Sequence, residues 1–579
     1  MLNKENQIIQ YSFSIEESHK QYVKIRVDFP SSVAFNEIKI PVWRPGRYEI
    51  GNFAKNIKDF NIFNEKGRRV PFFKKNNSTW VLKESSNNSL RVEYLYYAKD
   101  LNAGSTYLDD HLLYVNPVNC CIYVDELYDF KSQIKLNIPK SWKIATGLQK
   151  KGNDLISKNF DELADSPFIC SNQLQCKSYT VSDYKFNIWV NGDFKPDWSR
   201  WIKDFERFTK KQIEKFIEFP VKDYHFLIHA LPYKSYHGVE HLTGTVITLG
   251  PAKEINKSLY KELLGVSSHE LYHTWNVKSI RPIDMLPYDF SCENYSELGY
   301  IYEGITTYMG DLFLLKSKVF SIEQYFDELN NQLQRHFDNM GRFNYSVAES
   351  SFDTWLDGYV QGAPGRKVSI YVEGCLLAFI ADVKILKATA GKYGLDEVMK
   401  RLYFNYAIKG KGITENDYRK ELEQISGLSF ADYFDNYIHG TYSYETLLTE
   451  CFEFLGLEIK TRPSKLYIED QVGCKVLKNK WGEFIVSSIY PTSPADMAKI
   501  QVGDVLKSID GNSIDLECKK AFSEDLISEN KLSYLRNNIE FEVELLQINR
   551  SFYNKYFVSK MNNPIKDQEQ ERLFDMWKK

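Results

Sequence analysis

The five-residue stretch His269-Glu270-Leu271-Tyr272-His273 constrains this chain of 579 residues more than any other feature. Residues four apart lie on one face of an α-helix, so the two imidazoles can reach a single metal ion. Glu270 then projects beside that ion, where its carboxylate can accept a proton from a water molecule. With only ten histidines in the chain, chance produces this pattern in about one chain in a hundred of this length. The stretch therefore predicts a helix-borne zinc site of the kind found in metallopeptidases.

A third metal ligand is predicted downstream, because a catalytic zinc ion takes three protein ligands and keeps one position open for water. Glu303 is the single acid in the apolar, helically spaced residues 299–308. Burying a carboxylate is costly unless it is paired or binds a metal. The alternative is an exposed glutamate on an amphipathic helix. We predict that His269, His273 and Glu303 bind one Zn²⁺ per chain and that the protein is a zinc hydrolase.

Composition excludes several other classes of protein. The formal net charge is −3, so we expect no general attraction to nucleic acid. No apolar run is long enough for a membrane span. Nine cysteines without CxxC spacing argue against a complete disulfide framework and against a cysteine metal site. No signal peptide is visible, which predicts a cytoplasmic protein, or a periplasmic one if the chain is a processed or trimmed form.

The hydrophobic pattern changes twice along the chain and predicts a multidomain α+β protein. Apolar alternation in residues 1–170 indicates an N-terminal antiparallel β-sandwich. Residues 171–458 are mainly helical, with strands at 224–231 and 242–249 before the HExxH helix, as in a thermolysin-like peptidase domain. A β pattern returns in residues 459–560, and residues 561–579 form a C-terminal tail.

Motifs over most of the chain resemble the glycyl aminopeptidase family of gluzincin metallopeptidases. HExxH is shared by many unrelated proteases, whereas HTWN with IRP shortly after it is far more specific. The resemblance implies that residues 459–560 are a PDZ domain. The motifs are PVWRPG at 41–46, HELYHTWNVKSIRP at 269–282, Glu303-Gly304, ISG at 425–427 with residues 435–441, the SPA…GD…IDG pattern at 493–511, and the segment ending near Trp577.

The resemblance also implies individual roles. His269, His273 and Glu303 would bind zinc, and Glu270 would be the general base. Gly238, Val239 and Glu240 resemble the family's strand along the substrate, in which the glutamate holds the free α-ammonium group. A carboxylate placed about one residue from the scissile carbonyl would select a charged N-terminus. Tyr371 resembles the tyrosine that faces the zinc and donates to the oxyanion.

Two positions depart from the family pattern. Relatives usually have a glycine at the position of His237 and a lysine at that of Glu373. We expect the imidazole of His237 to narrow the S1 pocket, change its preference or add a polar contact. We expect Glu373 to alter the hydrogen bonding of Tyr371. Neither change involves a presumed zinc ligand or the base.

These observations predict a zinc-dependent aminopeptidase that removes small N-terminal residues, such as glycine or alanine, from peptides with a free N-terminus. One alternative is a zinc endopeptidase, which would also accept N-acetylated substrates. The other is a PDZ-centred peptide-binding protein with weak or lost peptidase activity. In that case residues 459–560 would bind a peptide or a C-terminus as an added strand.

Overall fold

The computed structural model describes residues 7–31, 33–86, 88–360, 362–514, 531–561 and 568–579. Residues 515–530 of the predicted PDZ domain and 562–567 of the predicted tail lie outside them. Within the described residues the chain is a multidomain α+β protein, with an N-terminal β-sheet domain followed by a helical region and further strands.

The N-terminal domain consists of β-sheets whose strands bury alternate residues, as in Ile9–Glu17, where Tyr11 and Phe13 are buried. The predicted antiparallel arrangement is wrong at one pair, because Ile9–Glu17 and Ser132–Asn137 run parallel. Their connection is long enough for a parallel crossover. In sheet order the strands are Gln149–Lys151, Asp154–Ser157, Ser132–Asn137, Ile9–Glu17, Tyr22–Phe29, Leu90–Tyr97 and Ile57–Asn64; then Phe35–Lys39, Thr79–Ser86 and Phe72–Asn76; then Lys143–Thr146, Phe168–Ser171, Leu112–Val115 and Tyr107–Leu108.

A mixed sheet precedes the HExxH helix. In order its strands are Gln175–Val181, Tyr184–Asn191, Asp223–Ala230, Gly244–Gly250 and Ser235–His241. The strands predicted at 224–231 and 242–249 are confirmed, and they pair in parallel. The strand Ser235–His241 lies at the edge and pairs antiparallel with Gly244–Gly250. This edge strand contains the predicted substrate-binding residues.

Helices form most of the region that follows. Trp198–Phe216 shows why: Asp197 caps its N-terminus by accepting from the Arg200 amide, and Trp201, Phe205 and Phe208 are buried on one face. The α-helices are Pro117–Cys120, Phe160–Ala164, Trp198–Phe216, Tyr260–Tyr272, Thr306–Lys316, Ile322–Asp338, Val347–Phe352, Thr354–Asp357, Ile370–Ala388, Leu395–Asn405, Glu415–Ser426, Ala431–Tyr433, Glu445–Phe454, Pro494–Met497 and Gln568–Trp577.

Glycines set the spacing of the helices around the HExxH helix, Tyr260–Tyr272. A Cβ on Gly304 would overlap the Cα of Gly374, so the segment carrying Glu303 and the helix Ile370–Ala388 meet backbone to backbone. A Cβ on Gly310 would lie 3.0 Å from the Cα of His269. Small residues therefore bring three helical segments together at one point.

The C-terminal region contains a second β unit with its own apolar core, which includes Val472, Val486 and Leu532. Its sheet contains Cys474–Lys478, Phe484–Ile489, Val505–Ile509, Lys531–Arg536 and Ile539–Glu544, with Asn512–Ser513 paired to the third of these. A separate ribbon of Leu457–Arg462 and Lys555–Lys560 joins this unit to the helical region, where the Val558 amide donates to Asn330.

The last described segment, Gln568–Trp577, is a helix that returns to the helical core. Trp577 is buried and its indole N–H donates to the Tyr308 hydroxyl at 3.0 Å. The predicted tail is therefore packed against the catalytic region over these residues. None of the helices in the described part of the chain is both long and apolar enough to cross a bilayer.

Candidate active site

The three predicted metal ligands converge on one point. The Nε2 atoms of His269 and His273 are 3.0 Å apart, and Glu303 Oε2 lies 3.8 Å and 3.4 Å from them. Tetrahedral zinc with Zn–N bonds of about 2.0–2.1 Å would hold two such nitrogens about 3.3 Å apart. The donor atoms and their spacing therefore fit one tetrahedral cation. The side chain of His269 is 20% exposed, so the point is reached from solvent.

The Glu303 carboxylate is fixed on both of its oxygens. Glu303 is 2% exposed and lies in a π-helical segment, Tyr300–Ile305, a form of helix often found at functional sites. Its Oε2 faces the two histidines, and its Oε1 accepts a hydrogen bond of 3.0 Å from the Tyr48 hydroxyl. Burial and the Glu303 carboxylate raise the pKa of Tyr48 well above its usual value, so Tyr48 is a neutral donor.

Asn276 joins the two metal-binding segments. Its side-chain amide donates to the Ile301 carbonyl at 2.8 Å and to the Thr306 hydroxyl at 3.0 Å. Its own carbonyl lies 2.8 Å from Nδ1 of His273. An N–H at Nδ1 donating there leaves Nε2 of His273 free to bind metal. This geometry gives a physical reason for the HTWN motif, in which the sequence alone assigned no role to Asn276.

Glu270 lies between the metal-binding point and the edge strand. A Cβ on Gly238 would overlap Glu270 Oε1, so a larger residue at position 238 would displace this carboxylate. Glu270 Oε2 is buried and has no hydrogen-bond partner among the described residues. The carboxylate is therefore beside the metal-binding point with one oxygen unengaged, as a general base requires.

Glu240 is buried on an edge strand, where an acid is normally exposed. It is 3% exposed, and its Oε1 has no hydrogen-bond partner in the described part of the chain. Because strand residues alternate, Gly238 and Glu240 face the same side, and Val239 faces the other side, where it packs in an apolar cluster. Gly46 of the N-terminal domain contacts the Glu240 carboxylate so closely that a Cβ there would overlap it.

Tyr371 begins the helix Ile370–Ala388, one turn before Gly374. Its hydroxyl lies 3.4 Å from that of Tyr359. Burial and the charges of Glu303 and Glu240 are among the causes that raise the pKa of Tyr371 well above its usual value. The phenol is therefore neutral and lies within electrostatic range of both carboxylates.

Both departures from the family pattern point away from the catalytic groups. Glu373 is buried against His336, whose Nδ1 is 2.8 Å from its carboxylate, so it does not alter the bonding of Tyr371 as expected. His237 lies on the strand face opposite Gly238 and Glu240. Burial and the charges of Arg44 and Arg47 lower the pKa of His237 to about 3, so its imidazole is neutral.

The buried carboxylates make this site electrostatically demanding. Burial raises the pKa of Glu270 well above its usual value, and Glu240 and Glu303 add to this effect while His273 opposes it. Burial disfavours charged His273, but Glu303 outweighs it and raises the pKa of the imidazole to about 10. Several carboxylates in one buried volume require a compensating cation. The donor set offers the place for it.

Comparisons with known proteins agree with the resemblance found in the sequence. Residues 10–172 match the Peptidase M61 N-terminal domain, and residues 262–377 match the M61 glycyl aminopeptidase domain. The chain therefore belongs to the M61 glycyl aminopeptidase family, a family of peptidases. The predicted family membership is confirmed.

Solved structures share the fold. An aminopeptidase N family protein from Idiomarina loihiensis superposes with a TM-score of 0.89 at 24% identity, covering 99% of this chain and 100% of its own. An M1 zinc metallopeptidase mutant from Deinococcus radiodurans bound to a Tyr-Ser-Ala substrate superposes with a TM-score of 0.47 at 12% identity, covering 76% of this chain and 94% of its own. No curated protein matches the chain significantly.

Proposed function

We propose that this protein is a zinc aminopeptidase. The observation that carries the proposal is the buried Glu240 carboxylate, which has an unengaged oxygen on the same strand face as Gly238, next to Glu270. A buried carboxylate without a partner is costly unless a ligand supplies the opposite charge. The α-ammonium group of a peptide supplies that charge and two or three N–H donors.

His269, His273 and Glu303 would hold the zinc ion, because their donor atoms converge and the carbonyl of Asn276 directs Nε2 of His273 to the same point. When bound, zinc polarises the scissile carbonyl and lowers the pKa of water. The HExxH helix, the π-helical segment and the edge strand together support the thermolysin-like arrangement predicted for residues 171–458.

The other residues divide the remaining work. Glu270 accepts a proton from the attacking water and delivers it to the leaving amine nitrogen. Tyr371, a neutral phenol, donates a hydrogen bond to the oxyanion. Glu240 holds the substrate amine, which sets the distance between the N-terminus and the bond that is cleaved.

We infer a preference for small N-terminal residues such as glycine and alanine. Glu240 is within electrostatic range of Tyr302, Tyr359 and Tyr371, and Gly46 contacts its carboxylate. These groups leave little space around a bound amine for a large side chain. Hydrolysis rates for a series of glycyl, alanyl, leucyl and phenylalanyl dipeptides test this preference.

The proposed function is tested with a glycyl-alanyl peptide and its N-acetylated form. Cleavage of the free peptide alone, abolished by a chelator, is the expected result, and Glu240→Gln should raise KM for that peptide. Equal cleavage of both peptides would make the protein an endopeptidase. In that case Glu240 would have no role in binding the amine.

We also infer that residues 459–560 are the predicted PDZ domain, because the second β unit has an apolar core of its own. A bound C-terminal peptide would be an added strand in this unit. Titration of the full chain with fluorescent C-terminal peptides tests such binding. Saturable binding with little hydrolysis of any free-amine peptide would favour the peptide-binding alternative.

A further inference from the structure

One residue of the N-terminal domain reaches the proposed metal site. Tyr48 is 1% exposed, and its hydroxyl is 3.0 Å from Glu303 Oε1. Its ring packs against Tyr302 at 5.2 Å and Trp355 at 6.1 Å between ring centroids. The hydroxyl is thus held in place by packing on the catalytic side of the domain boundary.

The loop that carries Tyr48 is fastened to the catalytic region independently of that contact. The Val42 amide donates to the Phe290 carbonyl at 2.8 Å, and the Trp43 indole N–H donates to the Asp289 carbonyl at 2.7 Å. The Trp43 ring also packs edge-on against Trp355. The position of the Tyr48 hydroxyl is therefore set by the docked loop rather than by Glu303.

The two oxygens of Glu303 have different surroundings. Oε2 faces the Nε2 atoms of His269 and His273, whereas Oε1 accepts from Tyr48. A carboxylate on a free side chain rotates and can present either oxygen or both. A donor fixed on Oε1 holds Oε2 toward the histidines, which is how outer hydrogen bonds orient a metal ligand.

We propose that Tyr48 is a positioning residue that holds Glu303 in the orientation for metal binding. The N-terminal domain is then part of the metal site rather than only a neighbour of it. This inference rests on the proposal that His269, His273 and Glu303 bind the metal. It adds a residue for which the sequence gave no signal.

The test compares Tyr48→Phe with Tyr11→Phe in the full chain. Tyr11 is a matched control: it is a buried tyrosine of the same domain whose hydroxyl donates one hydrogen bond, to the Ile122 carbonyl at 2.9 Å. Zinc affinity is measured by competition with a chromogenic chelator. We expect Tyr48→Phe to weaken zinc binding about 10- to 100-fold and Tyr11→Phe to leave it unchanged.

A second measurement separates positioning from general destabilisation. The visible absorption spectrum of the cobalt(II)-loaded protein reports ligand geometry and should change in Tyr48→Phe only. Wild-type affinity and an unchanged spectrum in Tyr48→Phe would overturn the inference, as would equal losses of affinity in the two variants. Failure of the proposed metal site looks different, because zinc binding by the otherwise unaltered protein would then survive His269→Ala.

Discussion

Gly304 and Gly374 are in backbone contact, since a Cβ on Gly304 would overlap the Cα of Gly374. Each glycine lies close to a predicted functional residue: Gly304 follows Glu303 directly, and Gly374 is three residues after Tyr371. The contact therefore sets the distance between the proposed third metal ligand and the proposed oxyanion donor. No side chain can take part in it without moving one of the two helical segments.

Gly374→Ala should lower kcat strongly, because the added methyl group pushes the helix Ile370–Ala388 away from the segment of Glu303. A shift of about 1 Å in a catalytic group can cost about 100-fold in rate. Gly265→Ala is the control, as it lies in the HExxH helix with nothing within 4 Å of its added Cβ. That control should keep its activity and gain up to about 1 kcal/mol of stability. Wild-type kcat in Gly374→Ala would contradict this account of the contact.

Glu270→Gln should retain zinc and lose about two to four orders of magnitude in kcat. The amide has nearly the same shape as the carboxylate, so the contact with Gly238 is kept while the proton acceptor is lost. Metal analysis of the purified variant, beside its rate on a glycyl-alanyl peptide, gives both quantities. Near-normal kcat would exclude Glu270 as the base.

The core of the site could be predicted from the sequence because it depends on local geometry. His269 and His273 share a helix face by their spacing alone, and Glu303 was marked by the cost of burying an acid in an apolar helix. Tyr48 gave no such signal, since its contact with Glu303 joins residues 255 positions apart. Burial of Glu240 on an edge strand was also unpredictable, because the N-terminal domain covers it through Gly46.

The same distinction explains the errors. Expecting Glu373 to affect Tyr371 assumed that neighbours in sequence interact, but successive helix residues point in different directions, and the partner of Glu373 is His336 on another helix. The parallel pair of Ile9–Glu17 and Ser132–Asn137 shows the same limit. Alternation predicts which face of a strand is buried, not which strand is its neighbour.

Asn276→Ala should destabilise the protein and weaken zinc binding together. The variant leaves the Ile301 carbonyl without its 2.8 Å donor, at a cost of about 1–3 kcal/mol. It also frees the segment of Glu303 from the end of the HExxH helix. Urea unfolding of the metal-free protein measures the first effect, and chelator competition measures the second. Loss of stability with unchanged zinc affinity would limit Asn276 to a structural role.

Trp577→Ala should destabilise the helical core by about 3–5 kcal/mol, because it removes a large buried ring and its hydrogen bond to Tyr308. Trp481→Ala is the control, since that tryptophan is 74% exposed and should change stability by less than about 0.5 kcal/mol. Equal unfolding midpoints in urea for the two variants would show that the terminal helix does not support the core.

Glu373→Lys restores the residue usual in relatives and should nevertheless destabilise this protein. Glu373 and His336 are both buried, and Nδ1 of His336 lies 2.8 Å from the carboxylate. A lysine there would place an uncompensated charge beside the imidazole, at a cost of about 3–5 kcal/mol. His336→Leu combined with Glu373→Met removes both polar partners and should cost less than Glu373→Lys, because no buried charge is left unpaired. Urea unfolding of the wild-type protein and the two variants checks the order. If Glu373→Lys were as stable as the wild-type protein, the pair with His336 would not explain why this chain has a glutamate where its relatives have lysine.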